Sequence, residues 1–390
     1  MCGNSFYGGD KRYLVKTHYI WGRDEKGRFI HDNFKLVREL GNFTFRSTKP
    51  NRANLGDKSH IFVVDLRRFS ILFLKPDISR ELSYISKLLG FLSGELGLKA
   101  VNLHEIVSLF NKTGLFWSVF KNKEVSGRYE EGWSKYGSGI LHLEKINPKN
   151  RSLVYSLTEC TTHPIQSEKP CCDIELGAIC GQITSIFDGF WTGVERKCHC
   201  VDGEFCKFEL YLKTRDEEPK LSKISKNEYK TILDNLISDV VNRKQNIRKR
   251  LGDYMHVSSD QVINYMLLSL SPGHAILSKH SGVLCGERIA EKAGLEGQEA
   301  AFAYARDLFL YLKAGLLHEP ETREDRLIVK MDESVYSSGV NNINMKLDVF
   351  LAGIIEGMLN QATGVKWRVE ETKCLANGDD YCQFTCRKQK

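Results

Sequence analysis

At 390 residues, with 42% hydrophobic and 27% charged side chains, the chain has the composition of a globular protein large enough for two or three domains. Its net charge of +7 is spread over many lysines and arginines rather than gathered in a stripe, so nucleic acid is not an expected partner. No apolar run approaches a membrane span, and the start MCGNSFYGGDKRYL lacks a charged-then-apolar leader pattern; the expectation is a cytoplasmic protein.

Residues 1–78 read as a β-rich N-terminal segment. GRDEKGRFIHDNFKL, FTFRST, HIFVVDL and FSILFL alternate or run apolar as strands do, and Pro76 ends the last. Asp77-Ile78-Ser79 then opens a helix through ELSYISKLLGFLSGELG, and a second helix is expected at His104–Asn111. GILHLEKI and SLVYSLTEC read as strands around a turn at NPKN, and 173–187 as a helix. FWTGVERKCHC and CKFELYLK form a hairpin turning at Asp202-Gly203. The polar stretch TRDEEPKLSKISKN is a linker. A long helix over Glu228–Leu251 follows, whose basic run from Arg243 to Arg250 reads as a solvated face. The divisions are therefore 1–78, a domain at 79–213, a linker with a basic helix at 214–259, and a domain at 260–390.

The second domain repeats the first. At a displacement of 176 residues (Cys198 to Cys374), Gly139-Ile-Leu-His142 matches Gly315-Leu-Leu-His318. In the same register Gly177 and Gly181 match Gly353 and Gly357, and Trp191 matches Trp367. Glu195, Lys197, Cys198, Cys206 and Phe208 match Glu371, Lys373, Cys374, Cys382 and Phe384. The paired glycines, four apart on one helical face, predict tight packing of helix on sheet. His142 and His318 read as histidines satisfied by the fold.

Twelve cysteines are many for such a chain, and eight lie in two clusters, which in a reducing compartment favours metal ligands or redox thiols. The hairpin spacing E-x2-C-x7-C brings Glu195, Cys198 and Cys206 together across the turn, and Glu371, Cys374 and Cys382 repeat it. Tetrahedral zinc needs a fourth donor from outside the hairpin, and Cys171 or Cys172 stands nearby at a helix start. His199 and Cys200 adjoin Cys198, but neighbours on a strand point to opposite faces, which sets them aside.

These residues resemble the 4-vinyl reductase domain, and most closely the zinc site in the sensory modules of phenol-responsive bacterial activators. The resemblance covers about 100–213 and 270–390. It implies a structural zinc ion on Cys172, Glu195, Cys198 and Cys206. In the second copy Asp348 stands where the first has Cys172, giving Asp348, Glu371, Cys374 and Cys382, with Cys386 as a substitute donor. It also implies an α+β fold, an antiparallel sheet packed with helices, the two copies forming an internal pseudo-dimer. A buried pocket for a small hydrophobic or aromatic ligand is implied as well, with Phe110, Phe116, Trp117, Trp133 and Tyr136 as wall candidates.

A site of three thiolates and one carboxylate is coordinatively closed, which is structural rather than catalytic. No nucleotide, flavin or hydrolase motif stands in a convincing setting. The sequence therefore reads first as a ligand-binding sensor with structural zinc, signalling through a partner protein that it does not identify. A thiol or metal redox sensor is the alternative, and an enzyme of tetrapyrrole metabolism a third reading.

Overall fold

The computed structural model describes residues 51–100, 117, 123–162, 166–187, 190–213, 220–221, 223–270, 272–323, 326–340 and 343–389. The strands expected before residue 51 and the helix at His104–Asn111 lie outside these. A short strand β1 (Lys58–His60) leads into helix α1 (Ile61–Leu74). This overturns the expected strands HIFVVDL and FSILFL. Every residue from Ile61 to Leu72 is buried, so the segment is apolar all round and lacks the polar stripe by which a helix is recognised. His60 starts it, its Nδ1 accepting the Phe62 N–H at 3.2 Å. The charged residues inside the run are partnered: Arg67 with Asp260, and Arg68 with Glu175, Thr162 and the Cys171 carbonyl.

The next elements build the first sheet. They are α2 (Ser79–Ala100), α3 (Lys123–Lys135), β2 (Ile140–Asn147), β3 (Ser152–Thr158), α4 (Asp173–Ile186), β4 (Phe190–Lys197), the one-turn α5 (His199–Asp202) and β5 (Cys206–Lys213). The sheet order is β2-β3-β5-β4, antiparallel throughout. Along β3 burial alternates strictly, sending Leu153, Tyr155 and Leu157 into the core.

A helix α6 (Lys226–Val241), capped by Ser225 Oγ on the Glu228 N–H, joins this part to the next. It ends sooner than expected: the basic run is a loop, where Arg243 lies over the rings of Tyr304 and Tyr311. Then come β6 (Tyr254–His256), α7 (Val257–Leu270), α8 (Pro272–Ala293), α9 (Gly297–Tyr311), β7 (Leu316–Leu317), β8 (Glu321–Arg323), β9 (Arg326–Asp332), α10 (Val349–Thr363), β10 (Trp367–Lys373) and β11 (Cys382–Lys388). The second sheet runs β10-β11-β9-β7 with β8 also on β9, again antiparallel. Among the described residues no helix is long and apolar enough to cross a membrane.

The paired glycines bring helix onto helix, which corrects the expected sheet partner. A Cβ on Gly177 or Gly181 of α4 would overlap the backbone carbonyls of Ser83 and Lys87 on α2. On α10, Gly353 and Gly357 meet the carbonyls of Lys279 and Val283 on α8 in the same way. Each close crossing fixes the N-terminus of α4 or α10 under its cysteine hairpin.

Two sets of matching contacts tie the parts together. β1 pairs antiparallel with β6, Lys58 opposite His256, Ser59 opposite Met255 and His60 opposite Tyr254. The His60 N–H reaches Leu312 O and the His256 N–H reaches Tyr136 O, both at 2.9 Å. The buried Arg52 guanidinium donates to the carbonyls of Lys58, Lys313 and Glu333. Arg248 donates to those of Tyr254, Gly137, Glu159 and Gly252. The Glu333 carboxylate accepts the N–H groups of Asn54 and Leu55, and that of Glu159 accepts those of Arg250 and Leu251.

Candidate metal centres

In the first sheet β4 runs out at Lys197, and Cys198 stands at the N-cap of α5. Gly203, at φ 78°, closes that turn as a left-handed helix end, and β5 returns with Cys206 opposite Leu157. Cys172, the N-cap of α4, approaches from the other side. Its sulfur is 3.8 Å from Cys198 Sγ and 3.5 Å from Cys206 Sγ. One donor atom each from Cys172, Glu195, Cys198 and Cys206 lies within 4.8 Å of the others, all four residues buried. Zinc–thiolate bonds of about 2.3 Å put the corners of a tetrahedron about 3.8 Å apart, and these sulfurs stand at that spacing.

Glu195 reaches back to the helix: its Oε2 accepts the Cys172 N–H at 3.0 Å. Its Oε1 is buried with no hydrogen-bond partner among the described residues. A buried, unpartnered carboxylate oxygen beside three thiols fits a cation, because such an oxygen is otherwise costly. Burial and the neighbouring Cys198 push the Glu195 carboxyl well above the usual range. The Cys198 thiol is pulled far down by hydrogen bonds from Cys171, Cys172, Cys200 and Cys206, so negative charge settles on it.

The second sheet repeats the arrangement. Asp348, N-cap of α10, joins Glu371, Cys374 and Cys382 in a buried group spanning no more than 4.8 Å. Glu371 Oε2 accepts the Asp348 N–H at 2.9 Å, and Glu371 Oε1 is again buried without a partner. Here the carboxylate of Asp348 also accepts from Ser334 Oγ and Ser337 Oγ, and the Cys382 thiol donates to it at 3.1 Å. A hydrogen bond from Cys382 lowers the Cys374 thiol, while burial raises the Asp348 carboxyl.

The structure also brings in donors that the strand argument set aside. Because His199 and Cys200 lie on a helical turn and not on a strand, both face the cluster. Cys160, Cys172, His199 and Cys206 form one further group within 4.8 Å, and Cys171, Cys172, Cys198 and Cys200 another. Cys160 Sγ is 3.8 Å from Cys172 Sγ, and His199 Nδ1 is 2.9 Å from Cys206 Sγ. The signal for this turn was present in CHCVDG, where a glycine follows four residues able to make one helical turn. Cys386 belongs to neither centre; it is buried on β11, where burial raises its thiol to about 12.

The paired histidines lie on the surface, His142 beside Glu130 at 3.6 Å and His318 beside Asp332 at 2.7 Å. Of the aromatic candidates, Phe110 and Phe116 lie outside the described residues. Trp117 packs on Phe187 and Trp191, with ring centroids 4.6 and 5.9 Å away. Trp133 Nε1 donates to Gln182 Oε1 at 2.8 Å, near the same end of α4. Tyr136 stands elsewhere, edge-on to His256 beside the β1–β6 pair.

Residues 327–388, holding β11, α10, β10 and nearly all of β9, match the family model of the 4-vinyl reductase domain, so the chain carries such a domain there. The uncharacterized protein MJ0150 of Methanocaldococcus jannaschii is 27% identical over 149 residues, which cover 38% of this chain and 84% of that protein. Among solved structures, the phenol-responsive sensory domain of the transcription activator PoxR, bound to phenol, aligns with 39% of this chain and 88% of its own. That alignment has 14% identity and a TM-score of 0.31.

Proposed function

We propose that the chain is a small-molecule sensor or regulatory binding protein, braced by structural zinc in its two cysteine hairpins. The observation that carries this reading is the recurrence of one buried donor group under both sheets, each with a thiolate pair, a helix N-cap donor and an unpartnered glutamate oxygen. Cys172, Glu195, Cys198 and Cys206 would hold one ion, and Asp348, Glu371, Cys374 and Cys382 another. Four protein donors fill a tetrahedral ion, so the metal supplies a fixed cross-link between helix and hairpin and leaves no place for substrate.

The 4-vinyl reductase domain match at 327–388 supports a ligand-binding role. The ligand would be small and hydrophobic or aromatic, meeting Trp117 and Trp133 around the far end of α4. The reciprocal β1–β6 pairing and the matched Arg52 and Arg248 contacts support an internal pseudo-dimer. A second reading, release of metal by thiol oxidation, is favoured by the number of buried cysteines around the first centre.

Elemental analysis of the purified chain, with mass spectrometry of its solvent extract, tests the proposal. Bound zinc, lost in Cys198→Ala with Cys374→Ala, together with a co-purifying apolar compound, is the expected result. A metal-free wild-type chain sinks it. Zinc released by mild peroxide and recovered on adding thiol would favour the second reading.

A further inference from the structure

We propose that the first centre holds two zinc ions sharing the Cys172 thiolate, whereas the second is built for one. This deepens, and rests on, the reading that these centres bind zinc. Eight donors surround the first centre, twice what one tetrahedral ion can use. Two of the groups, Cys160-Cys172-His199-Cys206 and Cys171-Cys172-Cys198-Cys200, overlap only at Cys172. Each supplies four donors within 4.8 Å, so seven side chains complete two tetrahedra with one bridging sulfur. Glu195 flanks both ions and holds the amide of the bridging residue.

The histidine is set up as a ligand. Its Nε2 lies 2.8 Å from the Thr162 carbonyl and must carry the proton, which leaves the Nδ1 lone pair facing Cys206 Sγ and Cys172 Sγ. A ligating imidazole is oriented in this way by a carbonyl on its other nitrogen.

The internal comparison is the strongest argument. Glu159 and Glu333 make the same contacts, and the residues after them are Cys160 and Ser334. Arg68 and Asn264 donate to the carbonyls of Cys171 and Leu347. At the 176-residue displacement His199 and Cys200 become Leu375 and Ala376. Thus all four donors beyond the hairpin set are absent together from the second centre, as expected if they serve one additional ion.

Charge agrees. Six thiolates around two zinc ions leave an excess of two negative charges, and two arginines are buried nearby. Arg68 donates to the Cys171 carbonyl, and Arg248 to the carbonyl of Glu159, beside Cys160. The second centre has the neutral Asn264 where the first has Arg68.

The test counts zinc in the full chain, purified with zinc under reducing conditions, by native mass spectrometry. In a Cys374→Ser, Cys382→Ser background two ions per chain are expected. Cys160→Ser with His199→Leu should remove one, and Cys171→Leu with Cys200→Ala should remove the other. These substitutions install the second centre's own residues at matching places, and a circular dichroism spectrum checks that each variant folds. If the background does not fold, the same one-ion losses are read from the otherwise wild-type chain. Cobalt substitution gives a second readout: thiolate-bridged cobalt ions should show a weaker paramagnetic signal per ion than either one-ion variant. A single ion in the first centre, or a count that neither pair of substitutions changes, overturns the dinuclear assignment and leaves the zinc reading standing. A wild-type chain without zinc, or one with iron and acid-labile sulfide, overturns both.

Discussion

Arg68 and Asn264 make the same hydrogen bond in their two settings, but only Arg68 faces a buried carboxylate, Glu175, at 3.5 Å. Burial works against the Arg68 charge, and Glu175 with the Cys171 and Cys172 thiols outweighs it, so the guanidinium stays protonated. Arg68→Asn should therefore cost about 3–5 kcal/mol, since it strands Glu175 in the core. Adding Glu175→Leu, the residue found at the matching position 351, should recover part of that loss; a urea-melt double-mutant cycle measures it. His256 makes a second residue-scale case. Its Nδ1 accepts the Ser258 N–H at 3.1 Å, and burial lowers its pKa below the ordinary 6.5 despite Asp57 nearby. The neutral form is the folded one, so its contribution is complete above about pH 6.5 and falls away as pH drops through the lowered folded value. The thermal midpoint should fall less between pH 7 and 5 in His256→Asn than in the wild type.

Elements explain what could be read from the sequence and what could not. The E-x2-C-x7-C spacing placed Glu195, Cys198 and Cys206 together because a hairpin closes over a short span whatever its turn. Whether His199 and Cys200 joined them depended on the turn being a helical one, and that inverts which side chains share a face. Cys160 was beyond reach, because only the tertiary path of the segment after β3 brings it to Cys172. The strand reading of 61–74 failed because a helix buried on every side has no polar face to set its period. The glycine pairs were legible as close packing, yet only the structure identified the partner as a helix. Gly357→Ala should overlap the Val283 carbonyl and destabilise the protein by about 1–3 kcal/mol, seen as a lower denaturation midpoint at unchanged slope. Ala at Gly203, an exposed turn position at φ 78° with open space around it, should cost about 1 kcal/mol from backbone strain.

At the scale of the molecule, both centres and the β1–β6 pair act on the same helices. Arg67 and Arg68, neighbours on α1, face opposite ways: Arg68 toward the first centre, Arg67 toward Asp260 and the ring of Tyr336 between Ser334 and Ser337 of the second. Removing zinc with a chelator should lower the melting temperature of the whole protein in one transition rather than melt one sheet alone, which calorimetry can check. The Arg52 contacts have a consequence for synthesis. Its acceptor on Glu333 lies 281 residues downstream. At about 5–20 residues per second, the ribosome takes roughly 14–56 s to supply that partner after Arg52 itself is made. For that interval residues 51–60 are without their docking site, and the segment can close only when the last sheet is being threaded out. A nascent chain released early would carry this segment undocked, which makes it the place where a chaperone or a protease would first distinguish unfinished from finished molecules.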